Sequence, residues 1–191
     1  MAPARPMKGR GAGGALSIRR GAARDVPVIL ELIRGLAEYE RLLHEVEATP
    51  ALIRRHGFGR RPYFETLICR RGRRPVGFAL YFFTYSTFLG RPSLYLEDLF
   101  VRPDERGRGA GRALLSALAR IAIARGCGRM EWAVLDWNRP AIRFYKRLGA
   151  GLRKEWILTR LTGAPLARLA RRRPARRRAP ASRAGSAARS R

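Results

Sequence analysis

The chain has 191 residues, 46% of them apolar, which is enough to build a core and excludes a wholly disordered polypeptide. Basic residues number 41 and acidic ones 14, a net charge of +27, and only three of the basic residues are Lys. Two cysteines, Cys69 and Cys127, exclude a disulfide framework, no Cys/His cluster calls for a metal, and the longest strongly apolar run, Phe78 to Tyr85, is far too short to cross a membrane.

The charge is uneven. Residues 1–20 carry five basic groups and residues 164–191 carry ten Arg, with no acid in either segment. These shifts predict a disordered basic arm over 1–14, one folded domain over 15–163 and a disordered Arg-rich tail over 164–191. The arm lacks the apolar stretch of a secretory signal, although a transit peptide stays open, and the expected location is the cytoplasm. The tail reads as a solvated product of Arg-rich coding bias, with attachment to nucleic acid as the alternative that its charge alone suggests.

Within the domain, Leu16 to Arg19 alternate like a short strand. Asp25 stands where an N-cap belongs, with Pro27 in the first turn, and Ile29, Leu32, Ile33 and Leu36 repeat at helical spacing. Thr49-Pro50 opens a second helix that ends near Gly57. Tyr63–Cys69 and Val76–Tyr85 are predicted as strands joined by a hairpin turn over 70–74, and Leu94–Val101 as a third. A Gly-rich loop leads into a helix bearing Leu114, Leu115, Leu118 and Ile121. Met130–Leu135 is expected as a buried strand, Asn138 as the cap of a helix ended by Gly149, and Trp156–Leu161 as a final strand. The order β-α-α-β-β-β-α-β-α-β describes a mixed α/β domain.

One turn carries chemistry. Arg106-Gly107-Arg108-Gly109-Ala110-Gly111 links a strand to a helix. Glycines let backbone N–H groups approach an anion, and the helix start adds positive potential, so a pyrophosphate suits the turn. Taken alone, such a turn serves packing as readily as binding. It is no Walker A loop, because no Gly-Lys-Ser/Thr follows.

Arg106-x-x-Gly109-x-Gly111 after a strand resembles the acetyl-coenzyme A loop of the GNAT N-acetyltransferases. Further stretches narrow the resemblance to the diamine (spermidine/spermine) acetyltransferases. They are Leu36-Ala37-Glu38-Tyr39-Glu40, Gly57-Phe58-Gly59, Val76-Gly77-Phe78-Ala79, Phe83-Thr84-Tyr85, Leu94-Tyr95-Leu96-Glu97-Asp98, Trp137-Asn138 and Phe144-Tyr145-Lys146-Arg147-x-Gly149-Ala150. Together they span roughly residues 16–160.

The resemblance implies the GNAT fold, with a mostly antiparallel mixed sheet splayed at the acetyl-CoA site and flanked by helices. It implies transfer of an acetyl group from acetyl-CoA, without a metal, to a primary amine of a small di- or polyamine in a ternary complex. Relatives in this branch also act on thialysine-like amino acids, so an amino-acid or protein amine is the alternative substrate. The backbone of Leu99, Phe100 and Val101 is expected to pair with the pantetheine arm, and Arg106, Gly107, Arg108, Gly109, Ala110, Gly111 and Arg112 to cradle the pyrophosphate. Asn138, with Arg139, Pro140 and Ala141 beside it, matches a cofactor-contacting position, a role compatible with capping its helix.

Tyr145 matches the family's general acid for the departing thiolate. Glu97 matches an amine contact that acts as base through water or only holds the substrate. A free alkylamine is almost wholly protonated at pH 7, so something must take its proton. Tyr39, Glu40, Glu131, Trp132 and Ala133 match substrate-contacting positions, and Asp136 is a further candidate carboxylate. Neither Cys fits a nucleophile, and His44 and His56 read as surface residues. The family also implies a homodimer. The chain is shorter than the diamine enzymes before Val76 and after Ala150, so neither substrate length nor dimer geometry follows from the resemblance.

Overall fold

The computed structural model describes residues 14–171. The expected arm over 1–14 lies outside them apart from Gly14, as does the tail beyond Arg171. The chain falls into two compact units that divide between Arg139 and Pro140, where sequence reading expects one domain.

The first unit holds five strands, β1 (Leu16–Arg20), β2 (Glu65–Arg71), β3 (Arg74–Ser86), β4 (Arg91–Val101) and β5 (Arg129–Glu131), in one sheet of order β1-β2-β3-β4-β5. The first four pair antiparallel and β5 joins β4 in parallel. Helices α1 (Val26–Glu40) and α2 (Pro50–Phe58) cover one face. There Val26, Ile29, Leu30, Leu32 and Ile53 pack with Ile68, Phe78, Leu80 and Phe100 of the sheet. Helix α3 (Ala110–Ala124) covers the other face through buried Leu114, Leu115 and Leu118. The apolar repeats of α1 and α3 thus find opposite sides of one sheet, as the period of each predicts.

Local signals behave largely as expected. The Thr49 hydroxyl accepts the Leu52 N–H at 3.2 Å and caps α2. Asp25 does occupy the position before α1, but its carboxylate caps the preceding turn instead. It accepts the Ala22 N–H at 2.8 Å and both arms of the Arg19 guanidinium at 2.6 Å. That fork holds the Asp25 carboxyl below the usual carboxylate range.

The predicted strand Met130–Leu135 is much shorter. β5 pairs with β4 only at Ser93, Leu94 and Tyr95, and then the chain leaves the ladder. β4 continues to Val101 without a β5 partner, which splays the sheet along that edge.

The second unit contains α4, which starts at the boundary (Arg139–Arg147), and α5 (Gly163–Arg171). Gly149, at φ +89°, follows α4 in the left-handed conformation that favours glycine. Two expectations fail here. Residues 156–161 form no strand. Trp156, Ile157 and Leu158 lie 74%, 85% and 77% exposed, and a strand without a ladder partner gains nothing from its extended shape. Conversely 164–171, expected to be disordered, form helix α5, consistent with the high helix propensity of its Ala, Leu and Arg residues.

Candidate active site

The open edge of β4 ends in the Gly-rich loop. Gly107 and Gly109 take φ of +71° and +88°, conformations that L side chains rarely adopt. Gly109 is the N-cap of α3, so the N–H groups of the helix's first turn lack intrahelical acceptors. The donor set of residues 106–112 therefore fits a pyrophosphate, and the backbone of Leu99, Phe100 and Val101, paired to β3 on one side and beyond the reach of β5 on the other, fits an extended amide-bearing arm laid along the edge. Phe100 itself is buried in the core beneath α1, so only its backbone is offered to that edge.

Arg106 lies between this edge and α1. Its Nε–H donates to the Val101 carbonyl at 3.1 Å, and its guanidinium sits 4.3 Å from the centre of the Tyr39 ring. The Tyr39 hydroxyl donates to Oδ1 of Asn138 at 3.1 Å, and its ring lies 5.9 Å from that of Trp137. Tyr39, Arg106 and Asn138, expected to serve the substrate and the cofactor, are thus brought together, and buried Asn138 is tied to α1 as well as standing before α4.

The carboxylates meet where β4 carries a one-residue irregularity and the end of α1 packs against it. Leu80 pairs with Asp98 and Tyr81 with Leu96, which leaves Glu97 as an extra residue in β4. Leu96 follows Tyr81 onto the α3 face and Asp98 follows Leu80 onto the α1 face. Asp98 there feels both Glu97 and Glu40, the last residue of α1. Burial and then these two like charges push the Asp98 carboxyl up to about 7. Burial alone raises Glu40 above the ordinary Glu value. On the same strand the Tyr95 hydroxyl is pushed up by burial and then by Glu97 and Glu131.

Glu131 also pairs with Arg129 at 2.9 Å, and neighbouring Trp132 is half-buried. Ala133 and Asp136 are exposed and join no contact with the carboxylate group among the described residues. Sequence reading missed Asp98 as a site residue, because strict alternation places adjacent Glu97 and Asp98 on opposite faces. The site also includes Trp137, which the motif contains but which carried no assigned role.

In the second unit, Tyr145 is buried in α4 and its ring centre lies 5.5 Å from that of Phe144. Pro140 and Ala141 stand in the first turn of the same helix. Cys69 is buried and Cys127 half-buried, and burial pushes both thiols up, which suits neither as a nucleophile. The His44 ring lies 3.9 Å from Glu45 and the His56 ring 5.5 Å from that of Tyr63, neither of them a neighbour assigned to the site.

Comparison with known proteins agrees with this geometry. Residues 29–150 match the acetyltransferase (GNAT) family. The thialysine N-epsilon-acetyltransferase of Mus musculus is 39% identical over 164 residues, covering 80% of this chain and 96% of its own. The L-ornithine N5-acetyltransferase of Arabidopsis thaliana is 34% identical, covering 78% of this chain and 85% of its own. The spermidine/spermine N(1)-acetyltransferase-like protein 1 of Homo sapiens is 41% identical over 70% of this chain, although the match covers only 20% of that protein. Among solved structures, an integron cassette protein of V. cholerae superposes with a TM-score of 0.68 at 27% identity, over 84% of this chain and all of its own. None of these relatives supports attachment to nucleic acid. The splayed sheet, the Gly-rich turn and these matches agree, and the chain belongs to the GNAT family of acetyltransferases.

Proposed function

We propose that this protein moves an acetyl group from acetyl-CoA to a primary amine of a small di- or polyamine, with a thialysine- or ornithine-like amino acid as the second reading. The observation that carries it is the carboxylate group of Glu40, Glu97 and Asp98 beside the open β4 edge. A chain with a net charge of +27 has no general reason to concentrate acids, two of them half-buried, and a cationic amine is the ligand that would neutralise them. The amino-acid reading draws on the relatives named for thialysine and ornithine.

In this reading Leu99–Val101 hold the pantetheine arm and Arg106–Arg112 hold the pyrophosphate, and the resemblance alone assigns Asn138, Arg139, Pro140 and Ala141 to the cofactor as well. Bound acetyl-CoA supplies the activated acyl group. Glu97, exposed on the bulge, accepts the amine proton through water. Glu40 and Asp98 hold a cationic end of the substrate, with Tyr39 and the stretch Glu131-Trp132-Ala133 beside it. The Tyr145 hydroxyl serves as general acid, a role that rests on the resemblance and on a Tyr pKa near ~10 that suits donation to a thiolate. The exposed Trp156, Ile157 and Leu158 support a homodimer, and the two free cysteines support a reducing cytoplasm.

Release of coenzyme A thiol with spermidine, putrescine, lysine, ornithine and thialysine tests the reading. Turnover on a di- or polyamine is expected. Turnover on the amino acids alone would replace it with the second reading, and no turnover on any amine would sink both.

A further inference from the structure

Beneath the Gly-rich loop lies a buried ion pair that the proposed chemistry does not use. Glu105 is 3% exposed, and Arg71, at the end of β2, donates its Nε–H to Glu105 Oε2 at 2.8 Å. The other Glu105 oxygen lies 3.2 Å from Nη1 of Arg108 and 3.7 Å from Nη1 of Arg74. Arg71 then uses its two remaining nitrogens on backbone. Nη1 donates to the Gly14 carbonyl at 3.3 Å and Nη2 to the Arg108 carbonyl at 3.2 Å. Glu105 is enclosed by its arginine partners, and burial of such a pair is weak evidence for stability by itself. Its geometry, however, reaches the loop.

The Arg108–Gly109 peptide is trans, so its carbonyl and its N–H point in opposite directions. Arg71 holds the carbonyl from below. The Gly109 N–H is therefore turned away from the protein body, toward the side where an anion would lie. A loop whose residues Gly107 and Gly109 both sit at positive φ has little steric restraint of its own, and either peptide orientation is open to glycine. The guanidinium fork supplies the restraint, since one planar group serves Glu105 and the Arg108 carbonyl together.

We propose that Arg71, anchored by Glu105, is a positioning residue for the cofactor pyrophosphate: it fixes the Arg108–Gly109 peptide with its N–H aimed at the anion. The inference rests on the reading of residues 106–112 as the pyrophosphate loop.

The test compares acetyl-CoA with S-acetylpantetheine, which has the same thioester but no pyrophosphate, as acetyl donors for wild type, Arg71→Met and Glu105→Gln. Both variants are expected to raise KM for acetyl-CoA roughly tenfold with kcat and the amine KM within about twofold of wild type. Activity with S-acetylpantetheine should not change. A merely structural role would lower both donors together, and that result overturns the inference. So does an acetyl-CoA KM equal to that of wild type. If wild type itself fails to prefer acetyl-CoA over S-acetylpantetheine, the pyrophosphate reading of the loop falls, and the inference with it. Should Arg71→Met not fold, Arg71→Lys keeps the charge opposite Glu105 but loses the fork. It is expected to show the same donor-specific rise in KM, and wild-type kinetics in Arg71→Lys would refute the role.

Discussion

Asp98→Asn tests the carboxylate group most directly, because it removes a titration and almost no volume. The Asp98 carboxyl is pushed up to about 7 in the folded protein by burial, Glu97 and Glu40. An unfolded Asp titrates near ~3.9, so the difference of about three pH units corresponds to about 4 kcal/mol. The sign follows from proton binding. Between pH 4 and 7 the native state holds a proton that the unfolded state has lost. The contribution of Asp98 to stability is therefore full below about pH 4 and is lost as pH rises through about 7.

In Asp98→Asn this slope disappears, and at pH 8 the substrate-free variant should be more stable than wild type by about 2–4 kcal/mol, roughly 4–16 °C in Tm for a chain of this size. Near pH 4.5 the two should coincide within about 1 kcal/mol. The assay is thermal unfolding from pH 4.5 to 8.5 for both proteins. The same variant should bind a diamine less tightly at pH 8, where the wild-type carboxylate is charged. Identical pH slopes for wild type and Asp98→Asn would refute the claim that Asp98 is half-buried beside Glu97 and Glu40.

Tyr145→Phe should lower kcat about 10²–10⁴-fold while leaving affinity for acetyl-CoA unchanged, as read by steady-state kinetics and calorimetry; an unaltered kcat would remove Tyr145 from the chemistry. Gly109→Ala places a side chain at φ +88° and should cost about 1–2 kcal/mol in urea unfolding and raise KM for acetyl-CoA. Asp25→Asn breaks the fork with Arg19 and should destabilise by about 1–3 kcal/mol at pH 7. Because the Asp25 carboxyl is held low, that difference should be present above about pH 4 and shrink as pH falls below it, which acid titration of both proteins would show.

Much of this protein is legible in its order of residues. The apolar repeat of α1, the Thr49 cap, the hairpin between β2 and β3 and the Gly-rich turn are local codes, set by neighbours a few residues apart. The GNAT fold itself was implied by the resemblance of the motifs over residues 16–160, and the sheet order and the family match bear it out. Trp156–Leu161 has a strand's composition, yet a strand exists only where a ladder receives it, and sequence cannot say whether one does. In the same way, a run of Arg and Ala hid the helix α5.

The site shows the division most clearly. Glu97 and Asp98 are adjacent, and alternation alone sends them to opposite faces. Asp98 stands two residues before Phe100 and shares its α1 face, and packing of the end of α1 against that face brings in Glu40, which with Glu97 raises the Asp98 pKa. Arg71 and Glu105 lie 34 residues apart and meet only because β2 ends beside the turn that precedes α3. Sequence by itself determined the helices α1 to α4, the β2–β3 hairpin and the turn with an anion site's glycines, because those follow from local sterics and periodicity. Which acids share a face, and which arginine holds the loop, were decided by register and packing, through contacts between residues that the chain keeps far apart.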